Sequence, residues 1–90
     1  MANWTSNKSI ISNIGGNIEF DVPLVDGKKE GYGRWFHNNG KIKYFGDFVN
    51  DGPNGKNVVL YYNNGLIEYH GSMFEGKYHG WGKLWHFNGQ

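Results

Sequence analysis

The chain repeats a short glycine-centred phrase every 24 or 25 residues, and this period limits the folds that it can adopt. Gly16, Gly40, Gly65 and Gly89 lie 24, 25 and 24 residues apart. Each of the first three is followed by a similar run: Asn17-Ile18-Glu19-Phe20, Lys41-Ile42-Lys43-Tyr44 and Leu66-Ile67-Glu68-Tyr69. A short fixed period is typical of repeat architectures, in which each unit buries its apolar face only against its neighbours.

The composition favours strands over helices. The 90 residues include 15 Gly, four Trp, six Tyr and six Phe. Glycine costs about 1 kcal/mol per helical position relative to alanine, and no helix longer than ten residues between Gly15 and Gly89 could avoid a glycine. Aromatic and β-branched residues between Gly and Asn turns are typical of strands. We therefore predict one all-β domain.

Turn signals set the predicted topology. Asn38-Asn39-Gly40 and Asn63-Asn64-Gly65 indicate hairpin turns, because Asn and Gly tolerate the positive φ that tight hairpins require. All connections are short, so we predict an antiparallel meander of β-hairpins in a single twisted sheet. The expected strands lie near 9–13, 17–22, 31–37, 41–48, 56–62, 66–74 and 80–87, with a bulge near Val58 that absorbs one extra residue.

The N-terminal segment is the ambiguous part of the chain. Residues 1–15 are expected to form a capping strand or a short helix that begins at Ser6. The strand is favoured because Ile11 occupies the repeat position of Trp35, Leu60 and Leu84. The repeats then cover residues 16–90, divided into a degenerate unit at 16–39 and two further units at 40–64 and 65–90.

Glycines and aromatic residues recur together in a pattern that resembles the MORN repeat (membrane occupation and recognition nexus). The clearest copy is Tyr69-x-Gly71-x4-Gly76-Lys77-x-His79-Gly80-x-Gly82-x6-Gly89. A second copy runs from Tyr44-x-Gly46 through Gly55 to Gly65, with Asn57 in place of one glycine. The unit from Phe20 to Gly40 is degraded, and Tyr61 to Glu68 also resembles the shorter variant of bacterial antitoxin-like proteins.

The resemblance implies an elongated, twisted sheet of hairpins with aromatic residues along one groove. It implies interaction functions such as scaffolding, dimerisation or contact with lipids, and it supplies no catalytic residue. By match to the motif, Phe20, Tyr44 and Tyr69 occupy the groove-lining position. In a strand alternation, a ring beside a glycine is expected to lie over the bare glycine backbone of a neighbouring strand.

Chemical sites find little support in the sequence. The net charge is +1, so we expect no nucleic-acid partner and no attraction to anionic lipid. The chain has no Cys, and His37 and His86 share a repeat slot without the converging ligands that a metal needs. Acidic residues show no diagnostic spacing, so we expect no enzyme activity, no cofactor and no metal. Without a signal-peptide core or a membrane-length apolar run, a cytoplasmic location is expected.

Columns of aromatic residues are the strongest functional signal. A single sheet of about seven strands has two faces, and 90 residues offer no second layer to cover both. We therefore expect a non-enzymatic module that binds another protein, or a second copy of itself, as a small inhibitor or antitoxin-like binder. The alternatives are a scaffold subunit of a cytoskeletal or membrane-associated assembly and a lipid- or ligand-binding module. The expected binding residues on the aromatic face are Phe20, Tyr44, Tyr69, Phe36, Tyr61 and Trp85.

Overall fold

The computed structural model describes residues 8–87, which contain nine β-strands and no helix. The strands are β1 (Lys8–Ser12), β2 (Ile18–Val25), β3 (Lys28–Lys29), β4 (Gly31–Phe36), β5 (Ile42–Val49), β6 (Gly52–Pro53), β7 (Gly55–Tyr61), β8 (Ile67–Phe74) and β9 (Lys77–Leu84). The all-β prediction is confirmed, and the ambiguous N-terminal segment is a strand from Lys8 onward. Residues 1–7 and 88–90, with Ser6 and Gly89, lie outside the described part of the chain.

The strands form one open antiparallel sheet in which spatial order follows chain order. The order across the sheet is β1-β2-β4-β5-β7-β8-β9, and the two-residue strands β3 and β6 pair with β2 and β5. Every pairing is antiparallel. The predicted meander of hairpins in a single sheet is therefore confirmed.

The Asn-Asn-Gly segments are tight hairpin turns with the same geometry in both copies. The Gly40 N–H donates to the His37 carbonyl at 3.0 Å, and the Gly65 N–H donates to the Tyr62 carbonyl at 3.0 Å. The φ angles of the two glycines are 87° and 92°, in the left-handed region that side chains disfavour. These turns keep successive repeats in the same register.

A β-bulge recurs once per repeat at the same position. Relative to the neighbouring strand, one extra residue is present at Glu19, Lys43 and Glu68. Because two residues of a bulge oppose one residue of the partner strand, Lys43 turns toward Trp35, and its ammonium lies 4.0 Å from that ring centroid. The bulge predicted near Val58 is also confirmed, since the register of β7 and β8 shifts just before that residue.

One face of the sheet, called here the inner face, carries the hydrophobic core. Cross-strand partners share a face, and their register places one row on the inner face: Ile11, Phe20, Trp35, Tyr44, Leu60, Tyr69 and Leu84. The buried core consists of Val22, Tyr44, Phe48, Val58, Tyr69 and Met73. The opposite side, called the outer face, carries the ion pair between Arg34 and the buried Asp21.

Candidate interaction surface

Tyr44 and Tyr69 fold back over the glycine that follows each of them by two positions. The Tyr44 hydroxyl donates to the Asp47 carbonyl at 2.5 Å, and the Tyr69 hydroxyl donates to the Ser72 carbonyl at 2.7 Å. A Cβ atom added to Gly46 would lie 3.0 Å from the Tyr44 hydroxyl oxygen. The Tyr-x-Gly segment is thus a local packing unit. The glycine leaves room for the ring, and the carbonyl oxygen of the residue three positions after the tyrosine accepts a hydrogen bond from its hydroxyl.

This packing makes Tyr44 and Tyr69 core residues. Their exposed fractions are 0% and 3%, so the expectation that both rings stand on an uncovered face is wrong for this structure. The physical reason is that the two rings pack over glycine backbone on the inner face, where neighbouring side chains cover them. No helix or second sheet is needed for this burial. Burial also raises the pKa of the Tyr44 phenol well above its ordinary value.

Phe20, the counterpart of these tyrosines in the degenerate repeat, is half-buried and covered by its own chain. Its ring stacks on Trp35 with centroids 5.2 Å apart. The Lys29 ammonium lies 4.3 Å from the Phe20 ring centroid and 3.0 Å from a carboxylate oxygen of Asp51. Phe20 therefore belongs to the margin of the core and offers a partner little uncovered area.

Phe36, Tyr61 and Trp85 lie on the other side of the sheet. Each directly follows a residue of the inner-face row, and successive side chains of a strand alternate between faces. All three are partly exposed. The Arg34 guanidinium lies 5.4 Å from the Phe36 ring centroid, and the Lys83 ammonium lies 5.2 Å from a Trp85 ring centroid. The structure therefore does not bring the six predicted aromatic residues together on one face.

Among the long strands of the described sheet, the edge strand β9 is exposed along its whole length. All eight residues of β9 are exposed, whereas the equivalent strands β4 and β7 each contain a buried residue and several partly buried ones. Leu84 is 58% exposed, although it occupies the same row position as the half-buried Trp35 and Leu60. We call the exposed side chains of Tyr78, Trp81, Leu84 and Phe87 the C-terminal edge surface. It includes both faces of the edge strand, because Leu84 and Tyr78 pair with inner-face residues, whereas Trp81 contacts His70 on the outer face.

Neighbouring side chains hold this surface in place. The Tyr78 ring stacks on the buried Tyr69 ring with centroids 4.1 Å apart, and desolvation of this stacked phenol raises its pKa. The Trp81 and His70 rings make a T-shaped contact with centroids 5.5 Å apart, and His70 Nε2 lies 2.7 Å from the Asn57 side-chain oxygen. Aromatic residues that are fixed before binding lose little conformational freedom when a partner covers them.

The sequence did not identify Tyr78, Trp81 and Leu84, because equivalent positions in successive repeats carry similar residues whether or not a strand packs beside them. Leu84 and Leu60 are equivalent in sequence. In the structure, however, Leu60 lies between Tyr44 and Tyr69 across the sheet, while Leu84 has Tyr69 on one side only. Exposure at this slot depends on the strands on both sides of it, and only β8 of the described strands pairs with β9.

The part of the chain that the structure describes contains no candidate metal site. Residues 8–87 contain no group of three or more His, Asp and Glu side chains that could hold a metal ion. His37, one of the two equivalent histidines, places Nε2 2.9 Å from the Tyr61 carbonyl oxygen, which is a structural hydrogen bond. No helix within that same range is long and apolar enough to cross a membrane.

Comparison with known proteins returned neither a matching protein-family profile nor a matching curated protein. The MORN resemblance therefore still depends on the motifs and on their spacing.

Proposed function

We propose that the chain is a short MORN-like array that acts as a non-enzymatic protein-binding module, and that it binds through the C-terminal edge surface. The observation that carries this proposal is β9, an edge strand whose eight residues are all exposed, whereas β2, β4, β5, β7 and β8 each contain at least one buried residue. The proposed site replaces the buried Tyr44 and Tyr69 with Tyr78, Trp81 and Leu84.

The chemistry of this surface favours a protein partner. Tyr and Trp are enriched at interface hot spots, because they combine a large apolar area with a polar tip. Trp81 is 55% exposed and Leu84 is 58% exposed, so covering the rest of either side chain gains part of the roughly 1.5–3 kcal/mol that burial of a fully exposed large apolar side chain gives. Lys77 and Lys83 on the same strand supply polar groups at the rim of the apolar side chains. A partner that covers β9 therefore gains both apolar contact and polar pairing.

The biological role that best fits a small array of this kind is inhibition of one protein partner in the cytoplasm, in the manner of an antitoxin-like binder. A single binding strand at one end of the sheet suits a stoichiometric complex. A scaffold subunit needs at least two separate contact surfaces, and the C-terminal edge surface supplies one.

Site-specific photocrosslinking in the source cells tests the proposal. A benzophenone amino acid is placed at Trp81 or Leu84, and at Val25 as a control that is 55% exposed on another strand. We expect one discrete adduct from positions 81 and 84 and none from position 25. Adducts with twice the mass of the chain would identify a second copy as the partner, and equal labelling from all three positions would contradict the proposal.

The identified partner then allows a quantitative test by titration calorimetry. Leu84→Lys places a charge at the centre of the proposed contact, and we expect at least a tenfold increase in Kd. Val25→Lys adds the same charge at a similarly exposed site, and we expect an unchanged Kd. An equal effect of the two substitutions would show that net charge, rather than the C-terminal edge surface, controls binding.

A further inference from the structure

We propose that the free edge of β9 binds an extended segment of a partner protein as an added antiparallel strand, and that this segment has the pattern aromatic-x-small-x-apolar. The inference rests on the proposed function and specifies how the C-terminal edge surface recognises its partner. The aromatic residue is opposite Leu84, the small residue is opposite Gly82, and the apolar residue lies beside Gly80.

The pattern follows from the two inner contacts that β9 would reproduce. Strand β4 is followed across the sheet by β5, where Trp35, Gly33 and Gly31 face Tyr44, Gly46 and Phe48. Strand β7 is followed by β8, where Leu60, Val58 and Gly55 face Tyr69, Gly71 and Met73. Both following strands carry the same phrase, tyrosine-x-glycine-x-apolar. The equivalent residues of β9 are Leu84, Gly82 and Gly80, and none of the described strands lies on that side of them.

Steric space explains why the middle residue must be small. In both inner contacts the tyrosine ring packs over the glycine two positions later in its own strand. The tyrosine hydroxyl donates a hydrogen bond to the carbonyl of the residue three positions later. A bulky residue in the middle position would occupy the volume that this ring needs. Tyr69 already covers Gly82 from the other side, since a Cβ atom there would lie 2.5 Å from two Tyr69 ring atoms. The added strand must therefore contain a small residue two positions after its aromatic residue, so that the aromatic ring has room to pack.

The sequence of β9 suits a foreign strand better than a second copy of β9. Gly31, Gly55 and Gly80 share a repeat slot and have φ angles of 101°, 154° and 76°. Gly31 and Gly55 nevertheless pair with the following strand, so a left-handed glycine here is compatible with an added strand of the β5 or β8 type. In the antiparallel register that puts Tyr78 of a second copy opposite Leu84, Gly80 of one copy faces Gly82 of the other, so a second β9 lacks the apolar residue that Phe48 and Met73 supply in the inner contacts.

A synthetic peptide tests this inference with the full chain. The peptide has the sequence of residues 66–74, Leu66-Ile67-Glu68-Tyr69-His70-Gly71-Ser72-Met73-Phe74, with blocked ends. It is titrated into ¹⁵N-labelled protein, and amide shifts are followed by NMR. We expect saturable shifts at Gly80 to Leu84, with none at β1 on the opposite edge. The same peptide with Gly71→Val is the matched control, and we expect its affinity to be at least tenfold lower.

Variants of the protein make the result decisive. Leu84→Lys, at an exposed position that should not affect folding, is expected to weaken peptide binding at least tenfold. Peptide shifts at β1, equal binding of the Gly71→Val peptide, or a lack of saturable binding would each overturn the inference. A lack of saturable peptide binding would overturn the inference even if sedimentation showed that the protein self-associates. If crosslinking identifies a partner that the peptide does not displace, strand addition fails while the proposed function stands.

Discussion

Adding a single methyl group at Gly71 should separate the last two long strands of the sheet. In Gly71→Ala, the new Cβ would lie 2.3 Å from the Gly82 Cα and 2.5 Å from the Trp81 carbonyl oxygen. The first distance is about 1.2 Å short of the lower end of van der Waals contact between carbon atoms. Both neighbours are backbone atoms, so no side-chain rotation can relieve the overlap, and β8 and β9 must move apart.

The expected cost combines overpacking with a smaller opposing effect. Overpacking a well-packed site typically costs about 1–3 kcal/mol. Alanine also restricts the unfolded chain and stabilises a compatible site by about 0.4–1 kcal/mol. Gly52→Ala is the matched control, because its Cβ would meet no atom within 4 Å and its φ is not in the left-handed region. We expect Gly71→Ala to be less stable than Gly52→Ala by about 1–3 kcal/mol in the free energy of unfolding.

Urea titrations and thermal melts of the two variants and the parent protein measure this difference. For a domain of this size, each kcal/mol corresponds to a change in Tm of about 4–8 °C. Gly71→Ala is expected to melt below the parent, and Gly52→Ala at or above it. Equal midpoints for the two variants would refute the reasoning, because they would show that the contact between Gly71 and Gly82 is not a close backbone approach in solution.

Three further predictions concern Tyr44 and the exposed end of the sheet. Tyr44→Phe should lower the free energy of unfolding by about 1 kcal/mol in a urea titration, because the hydrogen bond to the Asp47 carbonyl is lost; an unchanged midpoint would contradict this. Burial raises the pKa of the Tyr44 phenol in the folded protein above its pKa in the unfolded chain. The contribution of Tyr44 to the free energy of unfolding is therefore fully present below about pH 10 and is lost as the pH rises beyond that value. Stability measured up to about pH 11 should therefore fall more steeply in the parent than in Tyr44→Phe, and parallel curves would refute the assignment. Trp81→Ala should change the thermal midpoint by less than Tyr44→Ala does, because the second substitution removes a buried ring at a cost of about 3–5 kcal/mol; a larger effect at Trp81 would make it a core residue.

The strands and turns could be predicted because their signals are local. Asn-Asn-Gly specifies a tight turn wherever it occurs, and the repeat period then places the strands between the turns. The inward side of the sheet was harder to predict. Alternation shows that Tyr44 and Tyr69 share a face, but it does not show which face is covered. Burial of the two rings does not need a second layer, because each Tyr-x-Gly segment packs its ring against the sheet itself.

The candidate site could not be predicted from the repeat pattern alone, because its exposure depends on position in the array. Trp85 and Leu84 are neighbours in sequence and lie on opposite faces. Leu84 and Leu60 are equivalent in sequence, yet they differ in exposure, since only Leu60 has an aromatic partner on both sides. The identity of the following strand is a tertiary property that no window of 24 residues contains.

The short strand β1 gives the array a direction. Ile11 takes the place beside Phe20 that Trp35 and Leu60 have beside the tyrosines of the next units, so the described sheet begins at its N-terminal edge with a strand of the same type as β4 and β7. Growth of such an array by duplication of one unit therefore moves the open end outward without changing its chemistry. A chain lengthened by a copy of residues 42–66 would present the same β9 to its surroundings on a longer support, so array length and recognition can vary independently.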